Sequence, residues 1–365
     1  MVKNENKLIG VVGDLHFFPS VDNTDKWEQV YDELGDWIVS EYTKRGIKTI
    51  IFLGDLFEGR IQLKKEKGAD FRTYTHLVKF LRKFDDFELA ILVGNHDCFY
   101  KNTSDNHGLK AFEKWDNIML VDEKPEFIYY TQCSEPVMGD TDDHIPFSKL
   151  ALVPWGTELK DIPKADTIFG HFDIKTFKYN AHKTSEHGFK SEQLFRCSSN
   201  IISGHYHHHQ VRKYKKGDIM YVGTPLQVNW GEANKDSYVM VFDCHENQIT
   251  EKIENTISPK HLRLPLTGIL GDKSILNGLG NSFLKIDVDK DIDKEKLTKL
   301  SSILTKKNGV REIDMIHQST EKFDEDYQDV AFSVDYEETM ISFIEEKIED
   351  PKEIVILAKE YYDKS

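Results

Sequence analysis

Apolar residues along the chain alternate between short unbroken runs and helical spacings. Lys7 to Val12 is aliphatic and reads as a first strand, broken by Gly13. From Asp25 to Arg45, Trp27, Val30, Tyr31, Leu34, Trp37, Ile38 and Tyr42 recur at helical spacing, with Gly46 as a C-terminal stop. Thr49 to Leu53 is a second apolar run. Leu77, Phe80 and Leu81 mark the inner face of a helix across Phe71 to Phe84, and Leu89 to Val93 is a third run, bounded by Gly94. Strand, helix, strand, helix, strand is the signature of an α/β sheet.

The pattern continues with a short helix over Gly108 to Trp115 and a strand over Asn117 to Val121. Strands follow at Glu126 to Cys133 and Leu150 to Pro154, separated by an acidic loop from Ser134 to Pro146. Thr167 to Phe169 and Asn200 to Ser203 are further short strands. Gln210 to Tyr214 and Ile219 to Val222 resemble a hairpin around Lys216-Gly217-Asp218, and Ser237 to Phe242 closes the region. From about Thr256 the pattern changes. Phe283 to Val288 alternates, Lys294 to Lys306 is helical with Leu297, Leu300 and Leu304 as its stripe, and Val310 to Ile316 alternates again. The tail from Tyr336 to Tyr362 is mostly helical, with Met340, Ile344 and Ile348 on one stripe and a break near Pro351. This predicts a main domain over 1–255, a small α+β domain over 256–330 and a C-terminal helical segment over 331–365.

Composition adds limits to this picture. The 365 residues, 30% charged and 39% hydrophobic, suit a soluble globular chain able to bury a large core. The net charge of -15 argues against simple electrostatic adhesion to nucleic acid or anionic lipid. Bound divalent cations and local basic loops can still reverse the field at a site. Cys98, Cys133, Cys197 and Cys244 are widely spaced with no CxxC pair, which predicts reduced thiols rather than a disulfide frame or a zinc knot. Met1 to Asn6 is polar and no apolar run approaches a membrane span, so a cytoplasmic protein without a membrane partner is expected.

The chemistry lies where the strands stop. Five strand-like runs end in Gly followed by potential ligands: Asp14 and His16, Asp55, Asn95 and His96 (with Asp97), His171, and His205 and His207. In α/β sheets sites form at the carboxyl ends of strands, so these positions can share one edge. Mixed Asp, Asn and His ligands without sulfur suit Mn²⁺, Mg²⁺ or Fe²⁺. Two such ions bridged by a carboxylate can activate a water and polarise a phosphoryl oxygen, which fits phosphoester hydrolysis. Any one of these histidines alone would read as an ordinary surface or satisfied residue. The ordered series reverses that.

The ordered set of D-x-H, G-D, G-N-H-D, G-H and G-H-x-H over roughly residues 8–243 resembles the calcineurin-like metallophosphoesterases. Within them the chain is most similar to the Mre11/SbcD nuclease branch. Gly94 to Thr103 and Tyr221 to Glu232 resemble its T-even phage members. The resemblance implies a metallophosphoesterase β-sandwich flanked by helices, an α/β fold carrying a small α+β cap domain that binds DNA. It implies two divalent ions, Mn²⁺ foremost. Asp14, His16, Asp55 and His207 would hold metal one; Asp55, Asn95, His171 and His205 would hold metal two. His96 would contact the scissile phosphate and assist the leaving oxygen, and Asp97 would fix the His96 tautomer. By the same resemblance the chain works on DNA ends in recombination and repair, as exonuclease on duplex ends and endonuclease on single strands. It would be a homodimer joined through its N-terminal helices and partnered by a Rad50/SbcC-like SMC ATPase, with the C-terminal helix as a candidate contact. One departure is that Phe57 is followed by Glu58-Gly59-Arg60, where many cellular members carry an Asp or a His, which questions that loop's part in catalysis.

Other readings stay open. A phosphatase or small-molecule phosphodiesterase on the same fold, or a mainly structural DNA-end tether, fits the same motifs. Arg60, Lys64, Lys65, Lys67 and Arg72, and Arg212, Lys213, Lys215 and Lys216, read equally as DNA-backbone contacts or as solvated basic faces. His208 and His209 read as residues outside the ligand set, and Cys133, Asp143 and His144 as loop residues.

Overall fold

A computed structural model describes residues 7–17, 24–58, 71–100, 103–131, 136–138, 146–178, 184–288 and 292–317. Along β1 (Leu8–Val12), α1 (Thr24–Lys44), β2 (Thr49–Phe52), α2 (Phe71–Arg82), β3 (Glu88–Leu92) and β4 (Ile118–Val121), the four strands lie parallel side by side. Their continuous apolar runs are explained by burial on both faces. Ile50, Phe52, Leu89 and Ile91 meet Leu34, Ile38, Leu77 and Phe80 of the helices. The alternate residues Ile9, Val11, Ile51, Leu53, Ala90 and Leu92 face the opposite way. Gly46 ends α1 as expected: its φ is +68°, its N–H reaches Thr43 O at 2.9 Å, and that of Ile47 reaches Tyr42 O at 3.0 Å.

A second sheet stacks on that inner face. It comprises β5 (Glu126–Thr131), β6 (Pro136–Met138), β7 (Pro146–Val153), β8 (Thr167–His171), β9 (Asn200–Gly204), β10 (Gln210–Tyr214) and β11 (Gly217–Tyr221), with α3 (Ser191–Leu194) before β9. Its order among the described residues is β10-β11-β9-β8-β7-β5-β6. Ile128, Leu150, Leu152, Phe169 and Ile202 fill the space between the sheets. The chain then returns: β12 (Tyr238–Asp243) runs antiparallel to β1, and β13 (Gln248–Glu254) adds the edge. The result is the expected α/β sandwich of two sheets flanked by helices. A third sheet follows, formed by β14 (Lys260–Pro265), β15 (Ser282–Val288) and β16 (Glu312–His317) with α4 (Leu266–Gly271) and α5 (Lys294–Asn308). It buries its own cluster, including Leu266, Leu284, Ile286, Leu297 and Leu304. It meets α1 where Trp27 stacks on Phe283 at 5.7 Å between ring centroids.

The structure differs from the sequence reading in three places. Strands β13 and β14 are not legible as apolar patterns, because β13 is an edge strand whose residues are mostly exposed. The acidic loop contains β6, which pairs with β5 through Ile128↔Met138 and Tyr129↔Val137 and needs only backbone to do so. Strands β8 and β9 run on through His171 and Gly204, which are register partners, so these positions lie in the sheet rather than beyond it. The chain divides into Met1–Ile316 and His317–Ser365. The expected helix over Tyr336 to Tyr362, the basic cluster from Arg60 to Lys67, and Cys133, Asp143 and His144 lie outside the described residues. No described helix is long and apolar enough to cross a membrane.

Candidate metal centre

Strands β1, β2, β3, β8 and β9 end beside one another, and their last residues brace across the gaps. The Asp14 carboxylate accepts the His205 N–H at 3.1 and 3.0 Å, and Asp55 Oδ1 accepts the His96 N–H at 2.8 Å. The His16 N–H reaches the Asp55 carbonyl at 2.9 Å. Such closeness explains the glycines at positions 94 and 204. A Cβ on Gly94 would lie 2.2 Å from Asp55 Oδ1, and one on Gly204 would lie 2.7 Å from Asp14 Oδ1. Backbone strain gathers here as well: φ is +51° at His16, +50° at Asp55 and +91° at His205.

Two groups of side chains form around Asp55. In one, Asn95 Oδ1 lies 2.9 Å from His171 Nε2 and 2.8 Å from His205 Nδ1. Asp55 Oδ2 is 3.3 Å from His171 Nε2, and ligand atoms of Asp55, His171 and His205 all fall within 4.8 Å of one another. His171 Nδ1 donates to the Leu53 carbonyl at 2.7 Å, which turns its other nitrogen toward the group. In the second group the rings of His16 and His207 stand 4.4 Å apart, and His16 Nε2 is 3.9 Å from Asp55 Oδ2. Asp14, His16, Asp55 and His171 are all buried.

The buried charges act on one another at close range. Burial alone would raise the Asp55 carboxyl, but the imidazoles of His171, His96 and His16 outweigh it and hold it well below the usual carboxylate range. Burial raises Asp14. Burial would lower His16, yet the Glu58, Asp55 and Asp14 carboxylates push it up to about 10. His171, against the same burial, is pushed up to about 9, chiefly by Asp55 and Asp14. His205 is driven well down by burial and by His171. A buried set of carboxylates and imidazoles of this kind is stabilised by bound cations.

A family model described as calcineurin-like phosphoesterase matches residues 7–221. The chain belongs to this calcineurin-like phosphoesterase family. The family hydrolyses phosphoesters with divalent metal ions, so the chain is a phosphoesterase with a candidate metal-binding site. No curated protein matches the sequence. Among solved structures, a novel archaeal phosphodiesterase is similar at 11% identity and a TM-score of 0.34, covering 68% of this chain and 99% of that one. GAP50 of Plasmodium, described as the anchor in the inner membrane complex, is similar at 10% identity and a TM-score of 0.37, covering 69% and 89%.

The donor set of this phosphoesterase fits divalent ions. His16 Nε2 is buried and has no hydrogen-bond partner among the described residues, as expected of a nitrogen shaped for a metal. Two carboxylates that sequence reasoning missed stand behind the second group. Glu232 Oε1 accepts from His207 Nδ1 at 2.5 Å, and Glu58 Oε2 lies 2.8 Å from His16 Nδ1. The Glu58 carbonyl also meets His96 Nδ1. The loop after Asp55, doubted because its residues depart from the family pattern, therefore contacts two of the candidate residues. No local signal marks Glu58 or Glu232, which meet their histidines only through the fold.

Asp97 also serves the backbone. Its oxygens accept N–H groups from Phe57 at 3.0 Å and Gly94 at 2.9 Å, and His96 Nδ1 meets the Glu58 carbonyl. In so tight a turn the Asp97 side chain folds back onto the N–H three residues earlier. His208 and His209, expected outside the ligand set, bond the carbonyls of Gly231 at 3.1 Å and Tyr221 at 3.0 Å. Arg212 is engaged within the fold: it donates to the Thr176 hydroxyl at 2.9 Å and lies over the Phe177 ring.

Proposed function

We propose that this phosphoesterase is a two-metal-dependent DNA nuclease, the nuclease subunit of an Mre11/SbcD-like complex. It would act as exonuclease on duplex ends and endonuclease on single strands. The observation that carries the hydrolytic part is Asp55 standing between two groups of ligand-type side chains, 3.3 Å from His171 on one side and 3.9 Å from His16 on the other. Asp14, His16, Asp55 and His207 would hold the first ion; Asp55, Asn95, His171 and His205 the second. Bound there, Mn²⁺ or a similar cation would supply activated water at neutral pH and offset charge on the phosphoryl group. DNA as substrate is favoured by the Gly94 to Thr103 and Tyr221 to Glu232 stretches, whose likeness is to the nuclease branch.

The chain's own part is positioning and proton transfer. With Nδ1 on the Glu58 carbonyl, His96 is oriented to meet the scissile phosphate through Nε2 and to pass a proton to the leaving oxygen. Burial lowers the His96 pKa, so its imidazolium, once formed against the phosphate, gives up its proton readily. Partners are part of the proposal: a second copy through the N-terminal helices, and a Rad50/SbcC-like ATPase on the tail.

The test is Mn²⁺-dependent degradation of end-labelled duplex DNA by the purified chain, alone and with the ATPase, beside His96→Ala. Cleavage by the wild type, lost in His96→Ala at equal metal content, is the expected result. No DNA cleavage under either condition, with brisk hydrolysis of small phosphoesters, would replace this reading with a phosphatase.

A further inference from the structure

We propose that Glu232 is the positioning residue for His207, and that it acts from a turn seated on the small three-stranded sheet. This role rests on the metal-binding reading above and deepens it. Glu232 is 3% exposed, yet each of its oxygens has a donor. Oε1 accepts from His207 Nδ1 at 2.5 Å and from Asn229 Nδ2 at 3.3 Å, and Oε2 accepts the Val228 N–H at 2.6 Å. A buried carboxylate is tolerated only when satisfied in this way. Because an ionised carboxylate can only accept, His207 must keep its proton on Nδ1, which makes Nε2 the nitrogen for an ion. His171 in the other group is held differently, by the neutral carbonyl of Leu53 at 2.7 Å. The two ions would therefore depend on different supports.

The turn that carries Glu232, Trp230–Glu232, is held from the small sheet. The Trp230 ring meets His261 of β14 edge-on at 4.8 Å and lies under the Lys285 ammonium of β15 at 4.4 Å. Before the turn, the Gln227 side chain accepts the His261 N–H; after it, Asn234 N–H reaches the His261 carbonyl at 3.0 Å. The segment bearing Glu232 is thus pinned on both flanks to one residue of β14. Whatever shifts that sheet shifts the carboxylate, and with it the His207 ring.

The experiment is a Mn²⁺ titration of the full chain after chelator stripping, read as free Mn²⁺ by electron paramagnetic resonance. Thermal unfolding of each ion-free variant runs alongside. The wild type should bind two ions. Glu232→Ala should weaken one of them about 10–100-fold, the range for losing a partner behind a ligating histidine, and leave the other unchanged. Glu232→Gln, which keeps an acceptor but no charge, should fall between. Glu232→Ala should add nothing once His207→Ala is present, and Trp230→Ala should weaken the same ion as Glu232→Ala. Two ions bound normally by Glu232→Ala and Glu232→Gln would overturn the proposal. So would equal weakening of both ions, or effects that add to those of His207→Ala. A lower ion-free melting temperature with an unchanged Mn²⁺-induced shift would show a structural role only, and would overturn it too. Absence of Mn²⁺ binding by the wild type is a different result, which would sink the metal reading and this inference with it.

Discussion

Asp97→Asn separates two accounts of the residue beside His96. The carboxylate is 2% exposed and accepts from Phe57 N–H at 3.0 Å and Gly94 N–H at 2.9 Å. Phe57 lies two residues after Asp55 and Gly94 directly precedes Asn95, so one side chain clamps two ligand loops together. Asparagine fills the same volume but carries one acceptor oxygen and one amide donor. Whichever way it turns, one backbone N–H faces a donor and stays buried without an acceptor. Losing one hydrogen bond to a charged group costs about 1.5–3 kcal/mol. Burial and the neighbouring Asp55 push the Asp97 pKa up to about 7, so the measurement belongs at pH 8, where the carboxylate is ionised. Urea unfolding of chelator-stripped Asp97→Asn at that pH should show this loss against the wild type, and Mn²⁺ should bind more weakly because both loops relax. If stability and Mn²⁺ binding are unchanged while DNA cleavage collapses, Asp97 acts chemically through His96 and the clamp is refuted.

Gly94→Ala places a Cβ 2.2 Å from Asp55 Oδ1 and 2.4 Å from its backbone nitrogen, so Asp55 must move. A misplacement of about 1 Å at a reacting centre costs about 100-fold in rate; retention of activity within threefold would show that the loops adjust freely. His261 gives a pH dependence away from the candidate ligands. Burial lowers its pKa to about 4, while the unfolded chain titrates near 6.5. Between those values the unfolded state binds the extra proton, so stability is intact above pH 6.5 and falls as pH drops toward 4. The ceiling is about 3 kcal/mol, from 1.36 kcal/mol per pKa unit. His261→Phe keeps a ring beside Trp27 and Phe283 and should lose less stability than the wild type between pH 7.5 and 4.5 in urea unfolding. Equal losses would remove His261 as the cause.

The candidate ligands were legible because the backbone alone places them. A strand buried on both faces announces itself as an apolar run, and glycine at its end marks where a neighbouring ligand crowds the backbone, as Asp55 crowds Gly94. Everything fixed by contact between distant residues was illegible. His16 and Glu58 sit on different loops, as do His207 and Glu232, and no spacing links either pair. Adjacency to His96 gave no sign that Asp97 also binds the Phe57 and Gly94 N–H groups, the first of them on another loop. Edge strands β6 and β13 escaped notice because pairing asks only for a backbone, whereas patterning records burial. The same division separates two classes of residue at this centre. Residues that would touch an ion are named by the ordered motifs, while the contacts that Glu58, Glu232 and Asp97 make with their loops and histidines appear only once the chain is folded.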